Sequence, residues 1–125
     1  MALRDSMAES ARPFLKPDEP IQAVFGAQTA SQYVAALGGL LFFLVFLNLN
    51  RYRIFVVTPE RILILDAGKL SMKKARGEVA ELPRSTELGP GSGLWHVIMV
   101  GDEKLRVHRR FFKDIAAADA ARSAG

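Results

Sequence analysis

An α+β domain is the class that this sequence predicts, and three observations predict it. Segments with helical spacing stand at both ends, a series of short apolar runs of strand length lies between them, and one long uncharged segment interrupts the series early. The 125 residues suffice for a single domain, 1–125, around one core, and the half that are apolar exclude a disordered chain.

Residues 2–16 place Leu3, Met7, Ala11 and Phe14 on one helical face, and Pro13 sets the end of that helix near Arg12. Pro17 and Pro20 bracket Asp18-Glu19 as a turn. The first strand is expected over 21–28, with Gly26 allowing a bulge or a close backbone approach. From Pro20 through Asn50 there is no charged residue, and the core of this stretch is an apolar insert, 33–49. Its continuous apolarity does not decide between helix and strand: the Ala/Leu-rich first half favours helix, while Leu40 to Leu47 also suits a strand.

The centre of the sheet is expected in Arg51 to Asp66. Ile54–Val57 and Ile62–Leu65 are apolar on both faces and therefore need cover on both sides, and the short Thr58-Pro-Glu-Arg61 connector makes them antiparallel neighbours. A basic loop, 67–77, follows. Further strands are expected at 78–82, 85–88, 94–100 and 104–108, in addition to 51–58 and 61–66. A closing helix from about Arg110 presents Phe111, Ile115 and Ala118 as its buried stripe.

Composition narrows the chemistry. There is no Cys, which excludes disulfides, thiol catalysis and thiolate metal sites. His96 and His108 have no carboxylate at metal-ligand spacing; the first is expected in the sheet, the second at the surface. No serine has a nucleophile-elbow context, and Gly89-Pro-Gly-Ser-Gly93 lacks the Lys-Ser/Thr of a phosphate loop. An enzyme, a cofactor and a metal are not expected. The net charge of +4 is uneven: Arg51, Arg53, Arg61, Lys69, Lys73, Lys74 and Arg76 are opposed within their own stretch only by Glu60 and Asp66. Such a cluster is drawn to anionic surfaces; nucleic acid is not expected as the partner, because no recognition motif or aromatic stacking face accompanies it. Trp95, in a strand, is expected in the core.

At Val56-Val-Thr-Pro-Glu-Arg-Ile-Leu-Ile-Leu65 the chain resembles the bacterial pleckstrin-homology-like (PH-like) family, in particular its small actinobacterial-type members, where a V-V-T-x-x-R-apolar run forms the central hairpin. Glu81-Leu-Pro-Arg84, Gly93-Leu-Trp95, the hairpin at Gly101 and Phe112-Lys-Asp-Ile115 are similar too, so the likeness covers 14–121. It implies a bent antiparallel barrel of about seven strands closed by the C-terminal helix. It also implies basic residues flanking the connection between the first two strands. Arg51-Tyr52-Arg53 matches the Arg-x-Arg half of that pattern, two side chains on one strand face that can clamp a phosphate. The Lys half has no counterpart, since Ala27, Gln28 and Thr29 are uncharged.

The expected function is a non-catalytic, membrane-associated interaction module at the cytoplasmic face of the cell membrane; the start of the chain has no apolar signal region. Head-group contact is expected from Arg51, Arg53, Lys69, Lys73 and Lys74, and leaflet contact from Leu40, Leu41, Phe42, Phe43, Leu44 and Phe46. As one helix the insert measures about 25 Å, short of a bilayer core of about 30 Å, and a single crossing would separate strands that must pair. Insertion into one leaflet is therefore expected over a span, although the basic excess after the insert agrees with a span as well. The alternative is a soluble protein-binding or homo-oligomerising module with the insert buried in the core or an interface.

Overall fold

A computed structural model describes residues 3–29, 39–41, 44, 50–69, 71–91, 93–101 and 103–122. Most of the insert, including Phe42, Phe43 and Phe46, lies outside them; of the stretch Leu40 to Leu47, the described Leu40, Leu41 and Leu44 are helical.

Helix α1 (Leu3–Ala11) buries Met7 and Ala11, and a 3-10 turn at Arg12–Phe14 takes over where Pro13 has no N–H to continue the α pattern. Among the described residues six antiparallel strands follow: β1 (Ala23–Gln28), β2 (Tyr52–Val57), β3 (Arg61–Gly68), β4 (Gly77–Pro83), β5 (Trp95–Val100) and β6 (Glu103–His108). A second 3-10 turn, Arg109–Phe111, leads into α2 (Phe112–Arg122). The sheet order is β4-β3-β2-β1-β6-β5, and the sheet curls into a half-barrel flanked by the two helices.

The expected central hairpin holds its place. Every residue of Ile54–Val57 and Ile62–Leu65 is buried, on both faces. Phe25 of β1 stacks on its register partner Phe55 at 4.8 Å, while Ile98, Leu105 and Val107 join the same core from the far limb of the curl. The opposite face of β1 carries Gly26, and Met72 of the 69–76 loop lies against it so closely that a Cβ at residue 26 would collide with the thioether sulfur. Ser10 of α1 holds this loop, donating to the Lys73 carbonyl at 3.2 Å and accepting from the Ala75 N–H at 2.9 Å. β1 meets β6 through a single pair, Gln28 with Arg106, so the two strands part and leave a seam in the wall.

One expected strand is corrected. Residues 85–88 form a turn and irregular backbone, because their donors and neighbours are engaged elsewhere. Thr86 N–H donates to Pro83 O at 3.0 Å, and the Asp119 carboxylate of α2 accepts the Leu88 and Gly89 N–H groups at 2.8 and 2.9 Å. Arg84 turns inward to Gln22 and to the Ala118 carbonyl, tying the same segment to the helix.

The V-V-T-P-E-R run also acquires a physical reason. The Thr58 hydroxyl accepts from the N–H groups of Glu60 (3.3 Å) and Arg61 (3.2 Å), which shapes the turn, and donates to the Glu19 carboxylate at 2.7 Å. Arg61 meets both Glu19 oxygens at 2.9 Å and Glu81 at 2.9 Å. Glu19, whose side chain is 0% exposed, thus joins the 12–20 segment to the central turn. The Arg61 fork, followed by the Lys16 amide and Thr58, lowers its pKa from 4.5 to about 2 against the opposing effect of burial.

Two outcomes follow from this packing. Phe111→Ala removes a fully buried ring between α2 and the barrel, and chemical denaturation should register a loss of roughly 3–5 kcal/mol. Between pH 4.5 and about 2 the unfolded Glu19 takes up a proton that the folded one does not. Its contribution, about 3 kcal/mol, is therefore full above that window and lost as pH falls through it. Denaturation of Glu19→Gln across the same range should show a correspondingly weaker pH dependence.

Candidate functional site

The cationic residues singled out by sequence separate into two groups. Arg53 belongs to the fold: its Nη1 donates to Asp66 of β3 at 2.7 Å, and its Nε and Nη2 donate to Glu103 of β6 at 3.1 and 3.2 Å. With 11% of its side chain exposed, it bridges both limbs of the curl and has its donors directed at carboxylates. Arg51 lies at the exit of the insert. Its amide donates to Thr29 Oγ1 and its carbonyl accepts the Thr29 N–H, both at 2.9 Å, and its Nη1 donates to the Asn50 carbonyl at 3.0 Å. Of the expected Arg51–Arg53 clamp, the second member is thus engaged by intramolecular acids.

Lys69, Lys73 and Lys74, together with Arg76, are exposed on the loop that Ser10 pins. The backbone is held while the ammonium groups reach solvent, an arrangement suited to an extended anionic surface rather than to one bound ion. In the insert, Leu40, Leu41 and Leu44 are helical and 72%, 70% and 52% exposed. Large apolar side chains so exposed are candidates for contact with lipid or protein.

Sequence reasoning missed the seam between β1 and β6. A cavity of about 250 Å³ opens there, lined by Gly26, Gln28, Tyr52, Met72, Trp95, Arg106, His108 and Arg110 with their neighbours Ala27 and Phe111. Arg106 donates from Nη1 to the Thr29 carbonyl at 2.6 Å, placing the cavity beside the residue that follows β1. Arg110 stacks over Phe111 with its guanidinium carbon 4.9 Å from the ring centroid, and its Nη2 lies 3.8 Å from the Met72 sulfur. His108 is half-buried rather than at the surface, and Trp95 is half-buried rather than in the core. Their rings meet edge to face at 5.1 Å. Burial first, then the charges of Arg110 and Arg109, lower the His108 pKa below 6.5. Its Nδ1 accepts the Arg110 N–H at 3.1 Å, which puts the proton of the neutral ring on Nε2. Strand β6 buries Leu105 and Val107 and leaves Arg106 and His108 half-buried, and it is their convergence with Tyr52 and Met72 that a local pattern does not reveal.

Among the described residues no group of three or more His, Asp or Glu side chains could hold a metal ion, and no helix is long and apolar enough to cross a membrane. Comparison with protein-family models, with curated proteins and with solved structures found no match.

Arg53→Ala leaves Asp66 and Glu103 without their shared cation. Urea denaturation should show a loss of roughly 1–3 kcal/mol, the cost expected when the cation of a partly buried ion cluster is removed.

Proposed function

We propose that this protein is a non-catalytic, PH-like, membrane-associated interaction module, its apolar insert contacting one leaflet and its basic residues meeting anionic head groups. The observation that carries the reading is the exposure of Leu40, Leu41 and Leu44 in an uncharged segment that ends at Arg51. Apolar side chains seat in the acyl boundary while cations at the edge meet the negative surface potential. Arg51, Lys69, Lys73 and Lys74 serve the head groups, and Arg53 keeps the barrel limbs together behind them. The curled antiparallel sheet with a closing helix agrees with the PH-like resemblance in general shape. The cytoplasmic face of the cell membrane is the place that this reading assigns to the protein.

The second reading is a soluble protein-binding or homo-oligomerising module, favoured by the edge of the sheet at β5. That strand carries no formally charged Asp, Glu, Lys or Arg residue and exposes Val97 and Met99, whereas the other edge, β4, carries Glu78, Glu81 and Pro83, residues that discourage strand addition. Flotation with phosphatidylcholine vesicles and with vesicles containing anionic lipid separates the two readings. The wild-type chain should float with anionic vesicles, Leu40→Asp with Leu41→Asp should abolish flotation, and Lys73→Glu with Lys74→Glu should weaken only the anionic component. A chain that floats with neither lipid and elutes as a clean dimer without detergent overturns the membrane reading in favour of the second.

A further inference from the structure

We propose that the seam pocket between β1 and β6 binds a small phosphate monoester attached to an apolar or aromatic body. The pocket shares Met72 with the loop that carries the lysines, but none of those lysines and none of the exposed leucines lines it, and a soluble ester can occupy it without membrane binding. Its cations carry the inference. Among the described residues, the guanidinium groups of Arg4, Arg53 and Arg61 meet carboxylates, whereas neither Arg106 nor Arg110 does. Asp114, four residues beyond Arg110, is engaged bidentately by Arg4. Two guanidinium groups without acid partners thus face one cavity of about 250 Å³.

Each is held in place by something other than a charge. Thr29 O takes one Nη1 donor of Arg106 at 2.6 Å and leaves its remaining N–H groups available. The Phe111 ring face and the Met72 sulfur brace Arg110. The Nε2–H of His108, left outward by the bond at Nδ1, adds a neutral donor. A phosphate monoester carries about −1.5 to −2 charge at pH 7 and three terminal oxygens. Two forks and an imidazole N–H match that charge and acceptor count better than they match a carboxylate, which one fork already satisfies. Trp95 and Met72 supply the apolar wall for the body of the ester. Gly26 gives the space beneath: Met72 reaches the seam because residue 26 has no Cβ.

The ester group can belong to a soluble molecule or to a lipid head, and Trp95 distinguishes the two. It is the one tryptophan of the chain, so intrinsic fluorescence reports on the pocket. The full chain is titrated with phenyl phosphate, with inorganic phosphate and with phenol, and separately with vesicles of phosphatidylcholine with and without phosphatidic acid. Phenyl phosphate should give a saturable change, inorganic phosphate a weaker one, and phenol none. Arg106→Gln and Arg110→Gln should each raise the half-saturation concentration about tenfold or more, while Arg12→Gln, exposed on the first 3-10 turn, should match wild type. Arg110 is exposed, so its variant keeps the test valid even where Arg106→Gln unfolds, which circular dichroism detects. A response confined to phosphatidic acid vesicles and removed by Arg110→Gln assigns the ester to a lipid head and upholds the pocket. No saturable response to phenyl phosphate up to about 10 mM or to phosphatidic acid, or a response that Arg110→Gln leaves unchanged, overturns the proposal. A chain that never floats yet answers phenyl phosphate retains the pocket and loses the membrane reading, so the two fail separately.

Discussion

Burial of β2 and β3 on both faces is the constraint on which the rest of the molecule depends. An antiparallel sheet is ordinarily apolar on one face and wet on the other, and its strands alternate accordingly. Ile54–Val57 and Ile62–Leu65 do not alternate, so water must be kept from both sides. Curling of the sheet supplies one cover by bringing the limb of β5 and β6 back over the stacked Phe25 and Phe55. The second cover includes the loop that places Met72 on Gly26 and is secured to α1 by Ser10. A loop that solubility alone would leave adrift thereby becomes a fixed part of the wall.

That arrangement determines how the charges are used. Arg61 is bound by Glu19 and Glu81, Arg53 by Asp66 and Glu103, and Arg4 by Asp114, each joining segments distant in sequence. Arg61 and Arg53, little exposed and with carboxylates on two sides, serve closure, and their orientation is specified. Two further groups of cations sit in different environments. The lysines of the pinned loop are exposed and suited to a diffuse anionic surface, while Arg106 and Arg110 converge on a confined seam. The proposed membrane contact and the proposed ester pocket correspond to these two environments, and Thr29 stands between them, bonded on one side to Arg51 and on the other to Arg106.

The seam exists because β1 pairs along its length with β2 but with β6 at one position only. A fully paired barrel would satisfy the strand edges and leave no opening. Here the parting of two strands gives side chains of β6 and the following 3-10 turn a concavity to line, with the aromatic rings of Trp95 and Phe111 at its margins. The wall therefore provides both the closure that stabilises the core and the gap available to a ligand.

The sequence by itself determined the class, the central hairpin, the helical ends and the buried stripe Phe111, Ile115 and Ala118, because these rest on patterns a few residues long. Periodicity records which side chains an element must hide, and that requirement survives in any tertiary setting. The V-V-T-P-E-R run was legible as a turn, yet its partner Glu19, 39 residues before Thr58, was not: nothing local to a turn between two prolines says which arginine it will meet. The same limit explains the missing strand at 85–88, whose Leu88 amide is taken by Asp119 from a helix some thirty residues later, and the engagement of Arg53 by Asp66 and Glu103, which no local pattern announces. Tertiary structure decided these matters because hydrogen-bond partners and ion pairs are chosen by proximity after the sheet has curled. The seam pocket is the extreme case, since its residues come from five stretches of chain that share no motif and meet only where two strands diverge.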